Sequence, residues 1–295
     1  MSDLLYKKNR KFYVLLIFPS LILYCFGLVG PLLFGTIPSS FYDWNLIEGN
    51  KTFVWFENFI KLVEDKDFLY SIVFTMILAL FTILGTNILA FFVAFLVNEK
   101  LFANSISRAM FFIPNIISGV MVSFVWVFIF TGAIPSIGTA LGLDAVANIS
   151  WFGTSSMSAL SVIIVSIWQG TGFLMMLYIA GLQTIPNDVI EAAKLDGCTG
   201  LKKIFKIQIP LLMATVTINL FVSIAGAFKA FDIPYALTEG GPARSTETIA
   251  LNIYTDAFGS FKTGYGSAKS VVLFLIVAVI TIIQLRITRR REVEA

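Results

Sequence analysis

The chain has 295 residues, of which 57% are hydrophobic and 13% charged, and its net charge is +3. Soluble domains carry roughly 25% charged residues, so this balance excludes an ordinary soluble fold and indicates a polytopic membrane protein. The basic residues are spread among loops, which argues against a nucleic-acid surface, and the lack of histidine removes the commonest general base and metal ligand.

The N-terminal stretch MSDLLYKKNRKFYVLLIF has the charge pattern that opens a signal peptide. The apolar run continues to residue 37 without a small-residue cleavage pattern, so residues 12–37 read as an uncleaved first span. Crossing about 30 Å of hydrocarbon takes roughly 20 apolar residues as a helix. Residues 70–97, 111–130, 159–182, 211–231 and 268–287 also qualify, giving six spans and an all-α fold. Pro19, Gly30, Pro31, Gly85, Pro114 and Gly170 within them predict kinks or close helix contacts. Between spans one and two, FVWFENFIKLVEDKDFL (53–69) spaces apolar residues helically among acids and lysines. It predicts an amphipathic helix on the membrane surface, with a plain solvated connector as the alternative. GAIPSIGTALG, after span three, reads as an outer loop.

Lysine and arginine in short loops set the orientation. With these spans, fourteen fall on one side and five on the other, which predicts cytoplasmic termini and a cytoplasmic loop at about 184–210. Cys25 and Cys198 lie apart in this topology, so no disulfide is expected.

The cytoplasmic loop contains IEAAKLDGCTGLKKIFKIQIPLL. Pro186 starts a helix, and Asn187 and Asp188 suit its first turn. Ile190, Ala193 and Leu195 are read as one face, and Gly197 ends the helix in the left-handed region. A second helix over 200–208 carries Leu201, Ile204, Phe205 and Ile207, and Pro210 opens span five. Two roles fit: a hairpin that caps its spans, or a knob that docks into another protein. In the second, Ala192 and Ala193 permit close approach and Glu191 and Asp196 pair with basic groups.

Polar residues inside spans mark a solute path. Ser166, Gly170 and Phe173 share one face of span four, with Gln169 beside it. Ser223, Ala227 and Ala230 share a face of span five, which also carries Asn219 and Gly226. Hydroxyl-bonding groups and flat apolar faces suit a sugar; helix packing is the other use of Gly, Ala and Ser.

EAAKLDG followed by IQIPLL resembles the EAA loop of ABC importer permeases, whose pattern is EAA-x-x-x-G, then I-x-L-P. Glu191, Ala192, Ala193, Asp196, Gly197, Ile207 and Pro210 match it; Ile209 replaces the leucine, and Cys198 stands where alanine is usual. WQGTGFLMMLYIAGLQTIP, FDIPYALTEGGPARSTETIALNIYTDAF and YGSAKS follow in the order found in carbohydrate permeases, as do the earlier FPSLILY, SFYDWN and WFENFIKL. The chain is similar to the larger maltose permease subunit over nearly its whole length.

The resemblance implies a type I ABC importer permease fold: one domain over 1–295, with a core at about 70–287 and cytoplasmic coupling helices. It implies that Glu191, Ala192, Ala193, Asp196 and Gly197 contact a cytoplasmic ATPase. It places Ser166, Gln169, Gly170, Phe173, Ser223, Gly226, Ala227 and Ala230 along the substrate path. Gly226, Ala227 and Ala230 stand for larger or amide-bearing residues of the family, which implies a roomier cavity suited to an oligosaccharide. The implied partners are a second homologous permease subunit, two copies of the ATPase, an extracellular solute-binding protein and membrane lipid. Binding-protein contacts are expected in outer loops, including the TEGGP turn at 238–242. No cofactor is expected on this chain, with ATP and magnesium on the ATPase, and no enzymatic activity; G-x-x-x-x-G-K-[ST] is absent.

Two alternatives have distinct signals. A glycerol-3-phosphate-like polyol phosphate would exploit Lys229 near the outer end of span five. An ion-coupled secondary transporter, or a membrane enzyme, requires acids or nucleophile–base pairs within the spans, whose apolar cores carry no Asp or Glu.

Overall fold

The computed structural model describes residues 17–98 and 105–290. It divides into two compact units, Met1–Glu64 with Ile253–Val272, and Asp65–Asn252 with Leu273–Ala295.

In the first unit, helix α1 (Ile17–Ser39) is long and apolar enough to span a membrane, and none of its most apolar stretch is buried. A helix apolar on every side, with Phe26 and Phe34 more than four-fifths exposed, is stable only against lipid. Residues 12–16 of the expected first span lie outside the described residues. Pro31 and Pro38 lack amide hydrogens, and the helix widens around them: Gly30 N–H bonds Cys25 O, and Ile37 N–H bonds Leu32 O.

A short antiparallel hairpin follows, β1 (Tyr42–Trp44) with β2 (Lys51–Phe53), in register Tyr42↔Phe53. The Lys51 ammonium lies over the Tyr42 ring at 4.4 Å. The amphipathic helix predicted over 53–69 is shorter than expected. Phe53 belongs to β2, α2 covers Glu57–Glu64, and residues from Lys66 already form the next long helix. The break is local: the Asp65 carboxylate accepts the Phe68 N–H at 2.9 Å, capping that next helix. Within the first unit, Asn58 donates from α2 to the carbonyls of Ser40 and Tyr42 at 2.9 and 3.0 Å.

The second unit is built on α3 (Lys66–Asn98) and α7 (Ser155–Thr184). Phe74 and Leu78 of α3 pack with Val162 and Val165 of α7, whereas Ala90, Val93, Ala94 and Val97 pack with Leu174, Met175, Tyr178, Ile179 and Leu182. The two helices therefore run in the same direction. Helix α10 (Met213–Phe228) runs antiparallel to α7, since Asn219 faces Leu174 and Thr215 faces Gly181.

Three spans differ from the expected bounds. The predicted span 111–130 is broken. Helix α4 (Ser105–Ile116) stops, Ser118 is extended (ψ 139°), and α5 (Gly119–Ala140) restarts as the membrane-length segment. GAIPSIGT is therefore helix, not outer loop. Pro135 is accommodated by a wide turn in which Ile134 N–H reaches Ile129 O. Span five is a bent pair, α9 (Gly200–Leu211) and α10, meeting at 74° at Leu212. Pro210 cannot donate to the ladder, and Leu212 is buried as the pivot. The last span, α13 (Thr263–Arg289), begins earlier than expected. By length and composition, five helices among the described residues qualify as spans, or six if the bent pair counts as one.

In the first unit, Lys269 of α13 is 1% exposed, bonds Asp256 and lies 4.6 Å from the Tyr265 ring centroid. Removing one partner of a buried ion pair leaves an uncompensated charge and destabilises by about 3–5 kcal/mol. Asp256→Leu is expected to lower the midpoint of unfolding in detergent by that equivalent, and Asp256→Leu with Lys269→Met to recover most of it; a fluorescence-detected melt measures both.

Candidate functional site

A cavity of about 560 Å³ lies in the second unit. All eight residues predicted to line a path surround it: Ser166, Gln169, Gly170 and Phe173 from α7, and Ser223, Gly226, Ala227 and Ala230 from α10 and its extension. Helical spacing puts Ser166, Gly170 and Phe173 on one face of α7 and Ser223 and Ala227 on one face of α10 because both helices are regular there; Gly226 lies off that face and Ala230 lies past the end of α10.

Sequence reasoning missed three contributors. Thr82 and Thr86 enter from α3, and residues 115–119 enter through the break between α4 and α5. Asp232, at the start of α11 (Asp232–Thr238), completes the lining beside Phe231. The threonines stand one turn apart in a span that also carries Ser71, Thr75 and Asn87, so their spacing alone does not single them out. The break was not readable, because Ile117–Ser118 carries no Gly or Pro of its own. The unwound backbone is held by side chains: Gln169 Nε2 donates to Ile117 O at 2.9 Å, and Asn115 Nδ2 to Gln169 O at 3.4 Å. Polar backbone freed at membrane depth thus finds partners beside the cavity.

Lys229 also lines the cavity, in company with Asp232 of opposite sign. Phe173 and Phe231 supply aromatic faces, Phe231 stacking on Tyr235 at 5.3 Å and 10°. Gly226 is open: a Cβ built there meets nothing within 4 Å. Gly172, one residue from the lining Phe173, is different. A Cβ there would lie 2.0 Å from Phe111 O, so α4 crosses α7 at van der Waals limit against bare backbone.

At the far end of α7 lies the loop singled out in the sequence. Helix α8 (Asn187–Leu195) ends as expected: Gly197 has φ +71°, Cys198 N–H bonds Ala193 O at 2.8 Å and Gly197 N–H bonds Lys194 O at 3.1 Å. This is the paired bonding of a Schellman cap. Glu191, Ala192, Asp196 and Gly197 are exposed, but Ala193 is buried. Of the alanine pair only Ala192 faces outward; Ala193 and Ile190 turn inward, Ile190 packing on the cluster of Tyr178, Leu182, Ile185 and Leu212. Leu195 does not join them. It sits about 200° round the helix from Ala193 and is 90% exposed. Leu201 and Phe205 are exposed as well, so the outward surface is more apolar than the motif alone indicated.

The turn at 238–242 is tightly built. Thr246 bonds both Thr238 Oγ1 (2.7 Å) and Gly241 O (2.8 Å), and Arg244 bridges Asp67 (2.5 Å) and the buried Glu247.

Residues 86–293 match the family described as binding-protein-dependent transport system inner membrane component. The probable starch degradation products transport system permease protein of Thermoanaerobacterium thermosulfurigenes is 37% identical, over 97% of each chain. The multiple sugar-binding transport system permease protein of Streptococcus mutans is 32% identical, over 86% of this chain and 87% of its own. A bacterial ABC transporter involved in import of the acidic polysaccharide alginate superposes with a TM-score of 0.80 over 97% of each chain, at 20% identity.

The two glycines give opposite expectations. Gly172→Ala overpacks backbone and is expected to destabilise by about 1–3 kcal/mol. Gly226→Ala, in a helix interior with open space, is expected to be neutral or stabilising by up to about 1 kcal/mol. Detergent melts of the two variants, compared with the parent, measure the contrast.

Proposed function

The chain belongs to the family of binding-protein-dependent transport system inner membrane components, and on that premise we propose that it is the permease subunit through which an ATP-binding-cassette importer takes up a sugar, best an oligosaccharide. The observation that carries this reading is the continuity of one pair of helices: α7 and α10 line the cavity at one end and seat the cytosolic loop at the other. The cavity volume falls within the roughly 300–1,000 Å³ of small-molecule sites and exceeds the needs of a monosaccharide. Hydroxyl and amide groups beside Phe173 and Phe231 suit sugar hydroxyls and ring faces.

In this reading the loop docks on a partner ATPase through Glu191, Ala192, Asp196 and Gly197, with Leu195, Leu201 and Phe205 as its apolar contacts. Ala193 acts as the seat that joins the docked helix to the spans. Nucleotide-driven closure of two ATPase copies moves the loop, and differential affinity for the closed arrangement shifts the cavity to face outward. A second, homologous permease completes the cavity, and a solute-binding protein delivers the sugar at the outer loops, the 238–242 turn among them. Both termini then lie in the cytoplasm, in keeping with the excess of Lys and Arg on that side.

The polyol-phosphate reading draws on Lys229, and sn-glycerol-3-phosphate transport system permease proteins of Brucella abortus and Agrobacterium fabrum are 31% and 30% identical. Asp232 in the same lining opposes a dianion there, which favours a neutral sugar. An ion-coupled carrier is disfavoured because Asp232 follows the end of α10 and does not lie within a span.

Two variants test the reading in liposomes holding the assembled importer, with a panel of labelled mono- and oligosaccharides. Proline cannot adopt the positive φ of Gly197, so Gly197→Pro is expected to leave insertion intact and lower ATP-driven uptake at least tenfold. Gly226→Trp fills the cavity without touching other atoms at its Cβ and is expected to lower uptake of oligosaccharides at least tenfold. Undiminished, ATP-coupled uptake by inserted Gly197→Pro contradicts the coupling role; uptake unchanged by Gly226→Trp contradicts the lining.

A further inference from the structure

Beneath the cavity, three spans meet at one amide. Asn87 of α3 donates through Nδ2 to Ile83 O at 2.8 Å and to Ser223 Oγ of α10 at 3.0 Å, and accepts the Tyr178 O–H of α7 at Oδ1, also 3.0 Å. The orientation of this amide is fixed by chemistry. Ile83 O only accepts, so the atom facing it is the nitrogen. Asn87 therefore presents N–H to Ser223 and oxygen to Tyr178, and a flipped amide sets two carbonyl oxygens against each other.

The consequence falls on Ser223, which lines the cavity while Asn87 does not. A hydroxyl has one donor and two acceptor sites. One acceptor site of Ser223 is taken by Asn87. Its single proton is directed to the backbone, Asn219 O at 2.8 Å or Leu220 O at 3.1 Å. What remains toward the cavity is a lone pair.

We infer that Asn87 is a positioning residue for solute recognition: it fixes the polarity of Ser223, so that this wall position accepts a hydrogen bond from a solute hydroxyl and does not donate one. The inference rests on the sugar-import reading and deepens it, naming the residue that acts through Ser223 and the polarity of the group it recognises. A solute that offers only acceptors at this point, such as a carboxylate or phosphate oxygen, meets lone pair against lone pair. The same hub joins the recognition point to Tyr178, whose ring belongs to the apolar cluster on which Ile190 of the cytosolic loop rests.

The test is a double-mutant cycle in the assembled importer, reconstituted in liposomes, using radiolabelled maltotriose or whichever sugar of the panel above the parent transports. Asn87→Leu is expected to raise the KM for uptake about tenfold with a smaller change in maximal rate per inserted transporter. Ser223→Ala is expected to do the same, and the double variant no more than either alone. Tyr178→Phe keeps the amide orientation, which Ile83 O sets, and is expected to change KM less than threefold. If Asn87→Leu does not assemble, Asn87→Ser, too short to span these contacts, takes its place in the cycle. KM effects that multiply in the double variant, or a loss confined to maximal rate, overturn the inference. ATP-dependent uptake by the parent is scored separately, so a multiplicative cycle counts against Asn87 and not against import.

Discussion

Where α3 lies along α7, the facing positions carry Gly85, Ala90 and Ala94 on one side and Gly170 on the other. In lipid there is little hydrophobic gain from bringing helices together, so close backbone approach and dispersion contacts must supply it. Small residues make that approach possible. Because α3 and α7 run in the same direction, the middle turns of both face the cavity and the C-terminal turns of both enclose the cluster around Tyr178, Leu182 and Leu212. The cavity and the seat of the loop that carries α8 thus belong to one packed interface.

Polar groups follow from the same constraint. A span can keep an unpaired amide or hydroxyl only at a considerable free-energy cost. Small hydroxyls such as Ser71, Ser123 and Thr171 bond a carbonyl of their own helix, and several longer polar side chains find partners on other spans. Asn87, Tyr178, Ser223 and Gln169 each bond across helices. The break at Ile117–Ser118 belongs to this pattern, since its freed carbonyl is taken by Gln169. Lys269 and Asp256, deep in the first unit, solve the problem by pairing. These cross-helix bonds give the cavity wall a defined shape and polarity, which a lining of small apolar residues alone would not.

Much of the fold was legible in the sequence because lipid imposes length and composition on each span. The second and fourth spans lay within three or four residues of the expected bounds, and the lining faces of α7 and α10 followed from helical spacing. The Schellman cap at Gly197 was legible because only a residue free to take positive φ ends a helix that way. The failures are equally physical. Apolar runs do not record where a helix breaks, so Ser118 and the 74° bend at Leu212 were missed. GAIPSIGTALG reads as an outer loop, although a wide turn carries the helix through Pro135. Apolarity groups Leu195 with Ile190 and Ala193, while its angular position puts it on the exposed side. Thr82 and Asn87 reach the site or its support only through pairing of distant helices, which one helix's periodicity does not encode.

The central claim is that movement of the cytosolic loop changes the exposure of the cavity wall. The most direct measurement uses Gly226→Cys in the assembled importer, with Cys25 and Cys198 replaced, and follows its labelling by an impermeant thiol reagent from the outer face. The account predicts faster labelling when nucleotide closes the ATPase pair, and loss of that response when Gly197→Pro is added. A labelling rate indifferent to nucleotide in a variant that still imports sugar would contradict it.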